Sequence, residues 1–145
     1  MSDIITFTDK IYENKIELNS HNSDRTIHEL ENMVTDIMIE IGVPAHVKGY
    51  CYLRTAIMLT VQRPDLIYAM TKELYPAIGD IYLTTAQRVE RAIRHAIELA
   101  WDNGDMEILA RYFSYRIRKS SDKPTNSEFI ATLSDKIRVS RNLQR

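Results

Sequence analysis

Between residues 84 and 101 the apolar and charged positions separate onto two sides of a helix. Val89, Ile93, Ala96, Ile97 and Ala100 recur at the spacing of a stripe on a helix of about 3.6 residues per turn. Gln87, Arg88, Arg91, Arg94, His95 and Glu98 share the opposite side. Thr84 or Thr85 offers a hydroxyl to the first free backbone N–H groups, and Asn103-Gly104 predicts a left-handed stop. The same periodicity places other helices around this one. Thr26-Ile27-His28-Glu29 has the form of a capping box, followed by Leu30, Met33, Val34, Ile37, Met38 and Ile41. Gly42 and Pro44 close that helix. A second runs from about His46 to Val61 with Tyr50, Leu53, Ile57 and Val61 on one side, and Pro64 opens a third holding Leu66, Ile67, Met70 and Leu74. A short segment from Pro76 to Leu83 precedes the two-faced helix. Asp105 caps a brief helix through Ile108, Leu109 and Tyr112, and a loop at 116–125 leads to a last helix from about Asn126 with Phe129, Ile130, Leu133 and Ile137 inward.

This pattern predicts an all-α, compact multi-helix bundle. Residues 1–18 fit a strand or an amphipathic helix equally well, and Asn19–Asp24 is a polar break, so 1–24 reads as an arm and 25–145 as the helical domain. With 145 residues, 44% of them hydrophobic, the chain is of a size for one core. No run approaches the roughly 20 apolar residues of a membrane helix, and the amino end lacks the basic-then-apolar order of a secretory signal. Cys51 is the sole cysteine, which excludes an internal disulfide and fits a reducing cytoplasm.

Net charge is −1, but it is unevenly spread. Residues 1–82 carry seven basic and twelve acidic side chains, whereas residues 83–145 carry twelve basic and eight acidic. The carboxy-terminal half, net +4, is suited to a polyanion, with the acidic half turned away from it.

Catalytic and metal-binding patterns do not emerge. His28-Glu29-Leu30-Glu31-Asn32 resembles the start of a zinc-protease helix, but Asn32 stands where the second histidine belongs, which leaves His28 a surface residue. His21, His46 and Cys51 lack ligand spacing, and the four glycines are too scattered for a phosphate-cradling loop. His46 fits capping or packing at a helix start, and Trp101 fits core packing. The expectation is a protein without cofactor, metal or enzymatic activity.

A charged helix face is in most proteins only a solvated face. Here a short proline-opened segment comes immediately before it, in the order and length of a helix-turn-helix over about residues 75–102. The second helix of that motif lies in a DNA major groove, where Arg donates two hydrogen bonds to guanine O6 and N7 and Glu accepts from cytosine N4. Arg88, Arg91 and His95 share one side. Glu90 lies nearer the margin of the stripe and is the weakest base reader by geometry.

From about Leu30 to Val139 the chain resembles the carboxy-terminal DNA-binding (effector) domain of the stage-zero sporulation master regulators, response regulators of endospore-forming bacteria. The resemblance is carried by Ile41-Gly42-Val43-Pro44-Ala45-His46, Lys48-Gly49-Tyr50, Tyr52-Leu53-Arg54 and Leu74-Tyr75-Pro76. It continues through Arg88-Val89-Glu90-Arg91-Ala92-Ile93-Arg94-His95-Ala96-Ile97-Glu98, Ala100-Trp101 and Lys123-Pro124-Thr125-Asn126-Ser127-Glu128-Phe129-Ile130-Ala131. It implies an all-α domain that binds a short promoter element in double-stranded DNA, as a homodimer or tandem pair, and acts on transcription, with the RNA polymerase sigma subunit as a further partner. By position it implies base contacts from Arg88, Glu90, Arg91 and His95, and backbone or secondary contacts from Thr84, Gln87, Arg94 and Lys123. Two departures stand out. Only about 25 residues precede the domain here, too few for a receiver, so phosphorylation control is not expected from this stretch and Asp9 is not cast as a phosphoacceptor. Asp102-Asn103-Gly104-Asp105 is also more acidic than the family pattern, just after the helix beyond which, as the resemblance implies, surfaces help engage RNA polymerase, so the resemblance supports DNA binding more firmly than activation. The competing readings are a receiver-less antagonist occupying the same sites and a protein-interaction module that has kept the fold.

Overall fold

A computed structural model describes residues 20–113 and 123–143, and every regular element among them is helical. Six α-helices follow in order: α1 (Ser20–Ile41), α2 (Lys48–Gln62), α3 (Tyr75–Tyr82), α4 (Ala86–Asn103), α5 (Met106–Phe113) and α6 (Asn126–Leu143). Between α2 and α3 lie a 3₁₀ turn (Pro64–Tyr68) and a π turn (Met70–Leu74). The ambiguous amino-terminal period, Asp9 and most of the expected 116–125 loop lie outside the described residues.

The central element is α2, which packs against α1, α3, α4 and α6. Ten of its fifteen residues are buried, including Gly49, Tyr52, Leu53, Ile57 and Met58. A helix apolar on most of its circumference has to be enclosed by others. Its approach to α4 is unusually close: a Cβ built on Gly49 would stand 2.0 Å from the Ala92 carbonyl oxygen and 2.9 Å from the Ala96 Cβ. Glycine is the residue that lets the two backbones meet. At the other end of α4, Trp101 packs edge-on against Phe113 (5.1 Å between centroids) and Phe129 (6.0 Å), and joins α4, α5 and α6 in one aromatic cluster.

Helix ends follow local chemistry. Gly42, at φ 96°, terminates α1; its N–H donates to Ile39 and the Val43 N–H to Met38, so two carbonyls otherwise left open are satisfied. The start of α1 differs from the expected one. Ser20–Asp24 are helical, Thr26 lies inside the helix rather than at its cap, and Glu29 pairs with Arg25 at 3.2 Å. A Thr-x-x-Glu spacing also occurs along any helix, so it cannot by itself mark a terminus. The box that does form is at α6: Thr125 Oγ1 accepts from the Glu128 N–H at 3.1 Å and Glu128 returns the bond to the Thr125 N–H at 3.0 Å. Asp105 accepts from the Glu107 N–H and opens α5 as expected.

The helix expected from Pro64 is broken. Ala69 leaves helical geometry (φ −137°, ψ 39°), and beyond it the Leu74 N–H reaches back five residues to Ala69 while the Tyr75 N–H does the same to Met70. The offset keeps Leu66 and Leu74 buried and leaves Tyr68 91% exposed. Gly104 is a second correction. Its backbone is extended (φ −80°, ψ 164°), not left-handed. A Cβ there would meet the Ala100 and Ile41 carbonyl oxygens at 2.3 and 3.0 Å, so close packing accounts for this glycine.

Candidate nucleic-acid interface

The order short helix, tight turn, longer helix is realised by α3 and α4. A Cβ on Gly79 would stand 2.7 Å from the Thr84 carbonyl oxygen, so α3 has room for the turn to fold back on it. The Thr84 N–H closes that turn on the Gly79 carbonyl at 2.8 Å. Leu83 between them is in the left-handed region (φ 56°, ψ 48°) and 92% exposed. Of the two candidate caps Thr85 serves: its hydroxyl accepts from the Arg88 N–H at 3.2 Å. Thr84 is half-buried beside it.

The two faces of α4 are sorted as its periodicity predicts. Val89, Ile93, Ala96, Ile97, Ala100 and Trp101 are buried. Gln87, Arg88, Arg91, Arg94, His95 and Glu98 are exposed on the outer side. Among the described residues no ion pair engages Arg88, Arg91 or His95, and nothing covers their stripe. Arg94 is held along the helix by Glu90, its Nη1 3.1 Å from the Glu90 Oε1. Glu90 is 33% exposed at the edge of the stripe, so its carboxylate is engaged and recessed relative to the arginines beside it. Lys123 lies off the helix and pairs with Asp102 in the last turn of α4 at 2.8 Å. The lysine offsets a carboxylate at the helix end where negative charge is least favourable.

A wall unseen in the residue pattern borders this face. Asn126, at the start of α6, donates through its side-chain amide to the Tyr75 hydroxyl (3.1 Å) and to the Glu90 backbone carbonyl (3.2 Å). One side chain thus ties α3, α4 and α6 together. Burial raises the Tyr75 phenol above its ordinary range, partly offset by the Asn126 bond, so the hydroxyl stays neutral. Between this wall and α4 run two adjoining clefts of about 350 and 540 Å³. Thr71, Tyr75, Glu90 and Arg94 border both; Gln87 and Arg91 extend the first, and Lys123 and Asn126 the second. Thr71 could not be found from the sequence, because a π turn has no periodicity to reveal which of its residues faces a neighbour, and the role of Tyr75, which opens α3, depends on Asn126, 51 residues away. Among the described residues no cluster of His, Cys, Asp or Glu could hold a metal ion, and no helix is long and apolar enough to cross a membrane.

An amphipathic helix joined through a tight turn to a short helix, with arginines on its outer side, has the arrangement of a helix-turn-helix domain. The family model described as sporulation initiation factor Spo0A, C terminal, matches residues 34–137. The chain belongs to this family of DNA-binding sporulation regulator domains.

Proposed function

We propose that the domain is a sequence-specific transcription regulator acting without catalysis in the cytoplasm, and that α4 is its reading helix in the DNA major groove. The observation that carries this is the unobstructed stripe of Arg88, Arg91 and His95, backed on its inner side by a fully buried apolar face. A helix so anchored presents its outer side chains without having to rearrange the core. Arg88 and Arg91 donate to guanine, with His95 one turn beyond Arg91. Glu90 reads cytosine only after releasing Arg94, and so is the least suited of the four. Thr84, Gln87 and Arg94 border the base readers and suit phosphate contacts. Lys123 joins them on leaving Asp102. Pairing of two domains along the DNA and contact with the RNA polymerase sigma subunit belong to the same proposal, with the family as their support.

Selection of bound oligonucleotides from a random pool tests the reading and returns the element together. On that element Arg91→Ala is expected to cost about 1–3 kcal/mol, with little change on random DNA. Equal losses on both would refute base reading by Arg91.

A further inference from the structure

The first cleft beside α4 has a wall of its own chemistry. Thr71 sits in the π turn, where the i to i+5 bonds of Leu74 and Tyr75 widen the backbone. Such turns inside helical segments often coincide with functional sites. The Thr71 side chain is exposed, and among the described residues its hydroxyl makes no hydrogen bond. It borders the cleft opposite Gln87, Arg91 and Arg94. The two clefts differ in charge. The first is bordered by Arg91 and Arg94 against Glu90, one positive charge in excess. The second sets Arg94 and Lys123 against Glu90 and Glu98, with Lys123 also held by Asp102, so it offers an anion no excess.

We propose that the first cleft takes one phosphate of the DNA backbone, with the Thr71 hydroxyl donating from one side and the Arg94 guanidinium from the other. Arg94 exchanges its carboxylate partner Glu90 for the phosphate. Such a contact fixes how far α4 sits along the groove without reading a base. The clamp rests on the reading of α4 as the DNA-facing helix.

The test uses the whole chain on the selected element and on random DNA. Thr71→Val keeps the shape and removes the hydroxyl, and it is expected to weaken binding to both DNAs alike, by about three- to tenfold. Thr71→Ser is expected to restore it. The salt dependence of binding should stay as in the unaltered protein for Thr71→Val, since no charge is lost, and fall by about one unit of slope for Arg94→Gln. A scan of single neutral methylphosphonate linkages should find one position that weakens the unaltered protein, and weakens Thr71→Val by a smaller factor, since only the Arg94 share of that contact is left to lose. Thermal melts guard against misfolding, and little change is expected at so exposed a site. If Thr71→Val binds like the unaltered protein while Arg91→Ala still loses the element, the clamp is overturned and the reading helix stands. If the unaltered protein retains no DNA at low salt, both fall.

Discussion

Replacing Gly49 by alanine adds one methyl group where α2 meets α4. The new Cβ would lie 2.0 Å from the Ala92 carbonyl oxygen and 2.6 Å from its carbonyl carbon, both backbone atoms that no rotamer change can move. Bringing the closer contact out to about 3 Å requires the two helices to separate by about 1 Å, in a core that tolerates little change of volume. Two effects oppose each other. Alanine favours the helix over glycine by about 1 kcal/mol, while overpacking of this kind costs about 3 kcal/mol or more. The second wins, leaving a net loss of about 2 kcal/mol. For a domain of this size that is roughly 6–10 °C in Tm. Urea denaturation followed by circular dichroism, with a thermal melt beside it, measures both. Equal or greater stability of Gly49→Ala would mean that α2 and α4 do not meet backbone to backbone at this point.

Two further substitutions test other parts of the fold. Leu83→Gly should raise stability by roughly 0.5–1 kcal/mol, because the left-handed backbone costs leucine about 1–2 kcal/mol, glycine gives back part of that in unfolded-chain entropy, and a side chain 92% exposed loses little packing; a lower melting temperature would contradict this. Burial pushes the Tyr82 phenol up to about 12, its bond to Thr55 Oγ1 at 2.7 Å offsetting part of the rise. The unfolded phenol titrates near 10, so the stability it contributes is complete below that pH and lost as pH rises toward 12, on the order of 2–3 kcal/mol. Tyr82→Phe should show a shallower alkaline decline in denaturant titrations between pH 9 and 11.5, although it starts about 1–2 kcal/mol lower because the buried Thr55 hydroxyl loses its partner; parallel curves would refute the assignment.

What the sequence made legible was whatever repeats locally. The stripe of Val89, Ile93 and Ala96 fixes which side of α4 faces inward, and with it which side carries the arginines. Gly42 at a helix end and Phe129, Ile130, Leu133 and Ile137 in α6 were equally readable. Residues 64–74 were not, because apolar spacing cannot distinguish a continuous helix from two turns offset at Ala69. Gly104 misled for a related reason: glycine serves left-handed turns and close contacts alike, and only the neighbouring Ile41 carbonyl decides. The roles of Asn126, Lys123 and Thr71 depend on partners 16 to 51 residues away, among them Asp102, Tyr75 and the α4 residues Gln87, Arg91 and Arg94. No window along the chain contains both ends of such pairings.

Trp101 is the protein's single tryptophan, 1% exposed, with an indole N–H that has no hydrogen-bond partner among the described residues and a ring packed edge-on against the stacked pair Phe113 and Phe129. It lies on the inner side of α4, turned from the stripe proposed to meet DNA. Its emission should therefore be that of an indole shielded from water, shifting to the red when the bundle opens and hardly responding when a duplex settles on the far side. Folding and duplex capture can then be followed in one cuvette as separate optical signals, with the intrinsic fluorophore reporting the first and a labelled oligonucleotide the second.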